Sequence, residues 1–276
     1  MIISRTIGDD NIELFRIMPL ERFLQMLYTM QNVLVHPSAW DDPYEKLVQK
    51  SAACVKREEK IEYLYFNDKL WYGQCWSFSK ENDSLWHVFS KGRISRSVKI
   101  KTTSEALKAT LNSLNPKLHF FFEKVQYAAH AKGEKNIKKE IASTIHFERM
   151  WGEGSLYEFV LNEGCFKDDV QVKAAPLLLT KRKPFESEHE VRLILYSKEE
   201  LEDDVFSYDI PKIGDFIKEV ELDPWTPKGV DDAVRDIVGH YIPGVNIPVY
   251  TSDLYKPIER GLLYDPDKLY NNNQQQ

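Results

Sequence analysis

Hydrophobic and polar residues alternate in several short stretches of the chain, which is the pattern expected of β-strands. The stretch 72–79 is the clearest of these. Alternation places large side chains on one face of this strand and small ones on the other: Tyr72, Gln74, Trp76 and Phe78 against Gly73, Cys75, Ser77 and Ser79. A face of small residues leaves room above the sheet for a ligand or for a closely packed helix. The pattern alone does not separate these two alternatives.

The remaining periodicity predicts further strands and helices. Strands are predicted at 13–18, 33–35, 97–102, 120–127, 205–210, 218–222 and 247–250, and helices at 20–30, 84–90, 104–114, 134–150, 157–161 and 230–238. Strands dominate the second half, and helices are interspersed without regular strand–helix alternation. We therefore expect an α+β fold with a mixed, split or curved β-sheet and flanking helices.

The segment Trp40–Glu45 has two interpretations. Asp42 followed by Pro43, with Glu45 three residues after Asp42, has the spacing of a capping box. On this interpretation the acids begin a helix that continues toward Lys69. Alternatively, Asp42 and Glu45 contact a ligand.

An acidic run precedes the most hydrophobic strand. If this strand begins near Glu186, alternation places Glu186, Glu188, Glu190 and Arg192 on one face. Carboxylates at every second position lie about 7 Å apart, and such proximity disfavours ionisation of one of them unless cations compensate. The run is either a solvated strand edge, with Glu190 and Arg192 paired to neighbours, or a carboxylate pair facing a ligand.

Composition narrows the classes of function. The 276 residues carry a net charge of −6, which argues against broad nucleic-acid binding but permits local basic patches at 181–183 or 132–135. Three widely spaced cysteines suit a reducing cytoplasm. No hydrophobic run is long enough to span a membrane, and the seven histidines lack metal-site spacing, so no metal is expected. We expect one domain over residues 1–265 and a polar, disordered tail over 266–276.

Four motifs occur in the order found in a bacterial family known as domain of unknown function 2971. They are Leu14–Ile17, Trp40–Glu45, Cys75–Ser77 followed by Trp86 and Phe89, and Glu188–Arg192. The resemblance covers about residues 12–255. This chain departs from the family pattern with Arg16 for lysine, Trp40-Asp41 for Phe-Asn, and Trp76 for phenylalanine.

That family in turn resembles the ADP-ribosyltransferase superfamily. Members carry a basic residue or histidine on a first strand, an aromatic residue followed by serine on a middle strand, and E-x-E at the start of a later strand. The resemblance implies that Glu190, Glu188 and Ser77 are catalytic and that NAD is the substrate. It also implies that Arg16 and Phe15 bind NAD. Trp76, Phe78 or Trp86 would supply an aromatic wall for nicotinamide.

The residue types suit this chemistry. Cleaving the nicotinamide–ribose bond of NAD builds positive charge on the ribose, which a fixed carboxylate stabilises; we assign that role to Glu190. Ser77 would orient Glu190, and Glu188 would accept a proton from the incoming nucleophile. A guanidinium such as that of Arg16 suits a diphosphate.

The sequence therefore predicts a cytoplasmic ADP-ribosyltransferase with a protein, RNA or DNA acceptor. The resemblance further implies a toxin or antiphage effector with a neutralising antitoxin as partner, and no membrane partner. Two alternatives use the same acidic strand. One is an NAD glycohydrolase with water as the acceptor, and the other is a non-catalytic module that recognises a basic partner.

Overall fold

The computed structural model describes residues 2–4, 7, 11–43, 45–46, 52–57, 60–80, 83–90, 96–114, 118–128, 171, 175–201 and 203–256. The strands in these ranges are β1 Ile2–Ile3, β2 Glu13–Pro19, β3 Gln31–Val35, β4 Ala52–Arg57, β5 Lys60–Tyr65, β6 Trp71–Ser77, β7 Ser97–Thr103, β8 His119–Lys124, β9 Gln126–Ala128, β10 Thr180–Arg182, β11 Glu190–Tyr196, β12 Val205–Asp209, β13 Glu219–Leu222 and β14 Val249–Thr251. The helices are α1 Leu20–Thr29, α2 Asp83–Phe89, α3 Ser104–Asn112, α4 Ala175–Leu178, α5 Ile213–Phe216 and α6 Val230–Tyr241.

Ten of these strands form one mixed sheet. Eight of them follow the order β1-β8-β11-β6-β2-β7-β13-β14, and β3 and β12 branch from β6. The β1/β8 and β13/β14 pairs are parallel, and the other neighbours in the sheet are antiparallel. The expected α+β fold with a mixed, split sheet is therefore confirmed.

The sheet divides at β6. Strand β6 pairs along its whole length with β11, but it meets β2 only at Phe15↔Ser77 and β3 only at Val35↔Gly73. Beyond these single contacts, one branch continues through β3 to β12 and the other through β2 to β7. This fork opens the sheet beside the residues of the candidate site.

One face of the sheet packs into the hydrophobic core. Side chains of alternate strand residues, among them Leu14, Trp76, Ile100 and Leu193, lie there with Phe23 of α1. Pro19 precedes α1, whose hydrophobic face buries Phe23, Met26 and Leu27. Full burial of β11 explains why its sequence is almost continuously hydrophobic after Arg192.

Two sequence predictions are wrong. The helix that one of the two interpretations extended from Asp42 toward Lys69 does not form, because residues 52–57 and 60–65 pair as the hairpin β4/β5. The strand predicted from Glu186 begins at Glu190, since residues 183–188 form a 3₁₀-helix that ends at His189 in the left-handed conformation. Glu186 and Glu188 therefore do not share the strand alternation of Glu190 and Arg192.

The predicted helices at 134–150 and 157–161, the basic patch at 132–135 and the tail at 266–276 lie outside the described residues. The expected single domain over 1–265 stays a prediction. In the described part of the chain, no helix is both long and hydrophobic enough to cross a bilayer.

Candidate active site

The floor of the site is built by β6 and β11, on the face of the sheet opposite the core. Antiparallel register places Ser77 opposite Glu190 and Cys75 opposite Arg192. Phe15 of β2 lies opposite Ser77 on its other side. Directly paired residues project from the same face, so these five side chains form one continuous surface.

Glu190 and Arg192 are buried and bound to each other. Arg192 Nε donates to Glu190 Oε1 at 2.9 Å, and Nη2 donates to Oε2 at 3.0 Å. The same guanidinium donates to Glu45 and to the carbonyl oxygen of Leu178. A bidentate pair of this kind fixes the orientation of the carboxylate.

Lys181 completes what we call the ion cluster, namely Glu45, Glu188, Glu190, Lys181 and Arg192. Its ammonium lies 2.6 Å from a Glu188 oxygen, 3.2 Å from Glu190 and 3.5 Å from Glu45. Three carboxylates thus meet two cations. One negative charge is left unbalanced within the cluster, at the floor of the site.

A wall over the floor comes from residues 37–43 and 45–46, which we call the wall loop. The Trp40 ring lies over the Arg192 guanidinium, and the guanidinium carbon is 4.4 Å from the ring centroid. Asp42 accepts two hydrogen bonds from Arg182, at 3.1 and 3.0 Å. Glu45 therefore anchors this segment to the ion cluster, and Asp42 anchors it to Arg182. Both acids border the cavity.

Gly73 makes this wall possible, since a Cβ there would overlap the Trp40 ring and lie 3.1 Å from Ile194 Cδ1. We expect Gly73→Ala to lower the free energy of unfolding by about 1–3 kcal/mol, as measured by urea denaturation. Gly239→Ala in α6 is the matched control, because a Cβ there meets nothing within 4 Å. It is expected to raise stability by up to about 1 kcal/mol. Equal effects of the two substitutions would contradict close packing at Gly73.

The wall and floor enclose a cavity of about 500 Å³, a volume typical of small-molecule sites. Its lining is mostly hydrophobic at the α2 side and charged at the ion cluster. Six of the eight predicted site residues border it: Phe15, Arg16, Trp76, Ser77, Glu188 and Glu190. Their shared cavity is consistent with one binding site.

The two carboxylates predicted to be catalytic, Glu188 and Glu190, differ in electrostatics. Burial acts to raise the pKa of Glu190, but Arg192 and Lys181 outweigh it and lower this pKa to about 2. Burial raises the pKa of Glu188, Lys181 opposes that shift, and Glu190 and Glu45 add to it. The lowered pKa favours the ionised form of Glu190 at neutral pH, whereas Glu188 is the carboxylate more ready to take up a proton.

Ser77 acts on the backbone beside Glu190. Its hydroxyl donates to the carbonyl oxygen of Glu188 at 2.6 Å and accepts from the backbone N–H of Ser79 at 2.9 Å. The backbone N–H of Glu190 donates to the Tyr127 hydroxyl at 2.8 Å. Ser77 therefore orients the turn that presents both acids, while Arg192 and Lys181 hold the Glu190 carboxylate itself.

The guanidinium of Arg16 is on the other face of the sheet. Its neighbour Phe15 shares the face of Ser77, so alternation turns Arg16 away. Arg16 donates to Asn32 Oδ1 at 2.8 Å and lies 5.9 Å from the Trp76 ring centroid. Asn32 also accepts from Gln74. The structure does not bring the Arg16 guanidinium to the carboxylates.

Phe78 and Trp86 are also placed away from the cavity. Phe78 packs against the hydrophobic core and has the Lys124 ammonium 4.9 Å from its ring centroid. Trp86 is fully buried in α2, with Lys99 at 5.3 Å. Neither ring borders the cavity, whereas Trp40, which the sequence analysis did not assign to the site, does.

Lys181 and Arg182 also went unassigned, because they formed part of a possible surface basic patch. Both side chains instead point into ion pairs, with exposed fractions of 11% and 29%. The sequence feature that could have assigned them to the site is the excess of acids in Glu186–Glu190, because clustered carboxylates require nearby cations.

No protein-family model matches this chain, so the resemblance to domain of unknown function 2971 is not confirmed, and no curated protein matches it either. Solved structures similar to it include Thermus sp. 2.9 DarT in complex with ADP-ribosylated ssDNA, at 11% identity over 90% of this chain and 97% of that chain, with a TM-score of 0.37. The complex of the same protein with NAD+ is 11% identical over 87% and 93% of the two chains, with a TM-score of 0.35. TM-scores this low establish neither a shared activity nor a shared site.

Proposed function

We propose that this protein cleaves NAD and transfers ADP-ribose to a macromolecule. The observation that carries the proposal is Glu190, a buried carboxylate that Arg192 and Lys181 hold at the floor of a cavity of about 500 Å³. The resemblance to ADP-ribosyltransferases supports the choice of NAD, because the sequence carries an aromatic residue followed by serine at Trp76-Ser77 and the E-x-E motif at Glu188–Glu190.

The reaction breaks the bond between ribose C1′ and nicotinamide N1. The bonding electrons leave with nicotinamide, which loses its positive charge, and positive charge develops on the ribose. The unbalanced negative charge of the ion cluster stabilises that charge. Because Arg192 and Lys181 already fix Glu190, the carboxylate needs little reorganisation during the reaction.

The acceptor nucleophile then forms a bond to C1′ and gives up a proton. Glu188 is the candidate proton acceptor, because its side chain is 20% exposed and borders the cavity. Its raised pKa brings it closer to the range in which a general base works well. Ser77 holds the backbone of this residue in place.

The diphosphate of NAD requires cations away from the acids. For Arg16 to serve, the ligand must reach its guanidinium through the fork between β2 and β6, where Arg16 borders the cavity. Lys80, which is exposed and also borders the cavity, is a second candidate for this role. Both assignments belong to the proposal.

NAD hydrolysis is a second candidate function. Because Glu188 is partly exposed, water can reach the position of the acceptor. The cavity floor would stabilise the positive charge on the ribose in the same way. A toxin or antiphage role, with a neutralising antitoxin, extends the leading proposal, since modifying an essential macromolecule would block its use.

Radiolabelled NAD added separately to DNA, RNA and protein from a cell lysate tests the proposal. We expect label in one macromolecular fraction, released by the matching nuclease or protease, together with free nicotinamide. Free ADP-ribose without labelled macromolecule would indicate hydrolysis. Intact NAD in all fractions, with a basic protein stably bound to the purified chain, would indicate a binding module instead.

A further inference from the structure

Lys181 occupies the one point at which all three carboxylates of the ion cluster converge. It lies on β10, which pairs in parallel with β9 beside the β11 strand of Glu190. Its side chain is 11% exposed, and its ammonium lies 4.9 Å from the Phe185 ring centroid. Burial of a flexible lysine among three acids fixes the ammonium in place.

The two cations of the cluster share Glu190 and Glu45 but differ at Glu188. Arg192 is occupied by Glu190, by Glu45 and by the Leu178 carbonyl oxygen. Among the described residues, Lys181 is the cation in contact with Glu188, and it also contacts Glu190. Lys181 is therefore the link between the predicted proton acceptor and the fixed anion.

We propose that Lys181 is a positioning residue: its ammonium holds the carboxylates of Glu188 and Glu190 together at the cavity floor and keeps Glu188 available as a proton acceptor. The catalytic meaning of this proposal rests on the proposed function. The charge coupling between Lys181 and Glu188 does not rest on it and can be measured separately.

The direction of the coupling follows from the charges that face Glu188. Four groups do so from neighbouring elements: Lys181 on β10, Glu190 on β11, Glu45 on the wall loop and Tyr127 on β9. Burial raises the pKa of Glu188, and Lys181 is the group that lowers it. Removing the ammonium leaves burial and two carboxylates acting in one direction, so the pKa must rise further.

The experiment titrates Glu188 directly. In protein labelled with ¹³C at glutamate side chains, the Glu188 carboxyl resonance is identified by its loss in Glu188→Gln. We expect Lys181→Met to raise its titration midpoint by about 1 to 3 pH units, as for loss of an opposite charge at contact distance. Lys183→Met is the matched control, because Lys183 is exposed and does not border the cavity. It should leave the midpoint within about half a unit.

Lys181→Arg keeps the positive charge, so we expect its Glu188 titration midpoint to lie close to that of the wild-type protein. If Lys181→Met does not fold, Lys181→Gln, which retains a hydrogen-bond donor, takes its place in the comparison. An unchanged midpoint in the charge-removing variant would overturn the proposal. An equally large shift of the Glu188 midpoint in Lys183→Met and in Lys181→Met would also overturn it.

The pH dependence of NAD cleavage supplies the catalytic readout. With Glu188 as the proton acceptor, the acidic limb of the rate profile should move to higher pH in Lys181→Met by the same amount as the NMR midpoint. A merely structural role would lower the rate at every pH without moving the limb. If the wild-type protein does not cleave NAD, the proposed function fails, and the NMR midpoint still decides the role of Lys181.

Discussion

Glu190→Gln is expected to lower the rate of NAD cleavage by about a hundred- to a thousandfold, the usual effect of removing one group that stabilises charge in a transition state. The substitution keeps the shape of the side chain but removes the negative charge that faces the ribose. Release of nicotinamide from NAD, measured at saturating NAD, gives the rate. Because the loss concerns the transition state, kcat should fall while KM changes little.

The matched control for this variant is Glu186→Gln. Glu186 is exposed, lies in the 3₁₀-helix at 183–188 that precedes β11, and does not border the cavity. The Glu186→Gln variant should cleave NAD at the wild-type rate. Circular dichroism should show that Glu190→Gln remains folded, since Arg192 keeps its contact with Glu45. Normal turnover in Glu190→Gln would refute the assignment of Glu190.

Arg192→Met is expected to lower the free energy of unfolding by about 3–5 kcal/mol. The substitution leaves Glu190 and Glu45 buried with Lys181 as their remaining cation, and removing one partner of a buried ion pair has a cost of this size. It also removes the cation that lies against Trp40. Urea denaturation at neutral pH measures the change.

Arg22→Met supplies the comparison for Arg192. Arg22 is exposed on α1 and donates to Gln25, also exposed. Surface substitutions of this kind change stability by no more than about 0.5 kcal/mol. A loss below about 1 kcal/mol in Arg192→Met would mean that Lys181 and water compensate both acids, and the ion cluster would not be a rigid unit.

Much of the fold follows from local patterns. Alternation in 72–79 identified β6 and its face of small residues, and Pro19 with the hydrophobic spacing of 20–30 identified α1. Thr103 begins α3 by accepting from the backbone N–H of Ala106, as a local cap does. These features depend on contacts within a few residues, which the sequence shows directly.

The helix predicted after Asp42 failed because its evidence was equally local. Capping-box spacing describes residues close in sequence and does not show which distant group binds the carboxylate. Here Asp42 is held by Arg182, 140 residues further along the chain. No periodicity in the sequence indicates a contact of this kind.

The acidic strand shows the same limit in its register. Counting by twos from Glu186 assumes an extended backbone, but the 3₁₀-helix at 183–188 and the left-handed His189 reset the count at Glu190. Glu188 nevertheless reaches the cluster, because Lys181 draws both acids to one point. The chemistry of the motif was thus easier to predict than its geometry.

The face on which Arg16 lies depends on how strands pair. The sequence identified β2 but not its register, and the single Phe15↔Ser77 contact decides which residues of β2 face the carboxylates. A shift of one residue would have exchanged Phe15 and Arg16. Pairing between distant strands is set by the whole sheet and cannot be read from one strand.

The central claim is that NAD lies in the cavity with its ribose over Glu190. The crystal structure of the Glu190→Gln variant grown with NAD tests it most directly, because the slowed reaction leaves the dinucleotide intact. We expect ribose C1′ in van der Waals contact with the substituted side chain, and the nicotinamide within the same cavity. NAD bound elsewhere on the protein, or no bound NAD at millimolar concentration, would contradict the claim.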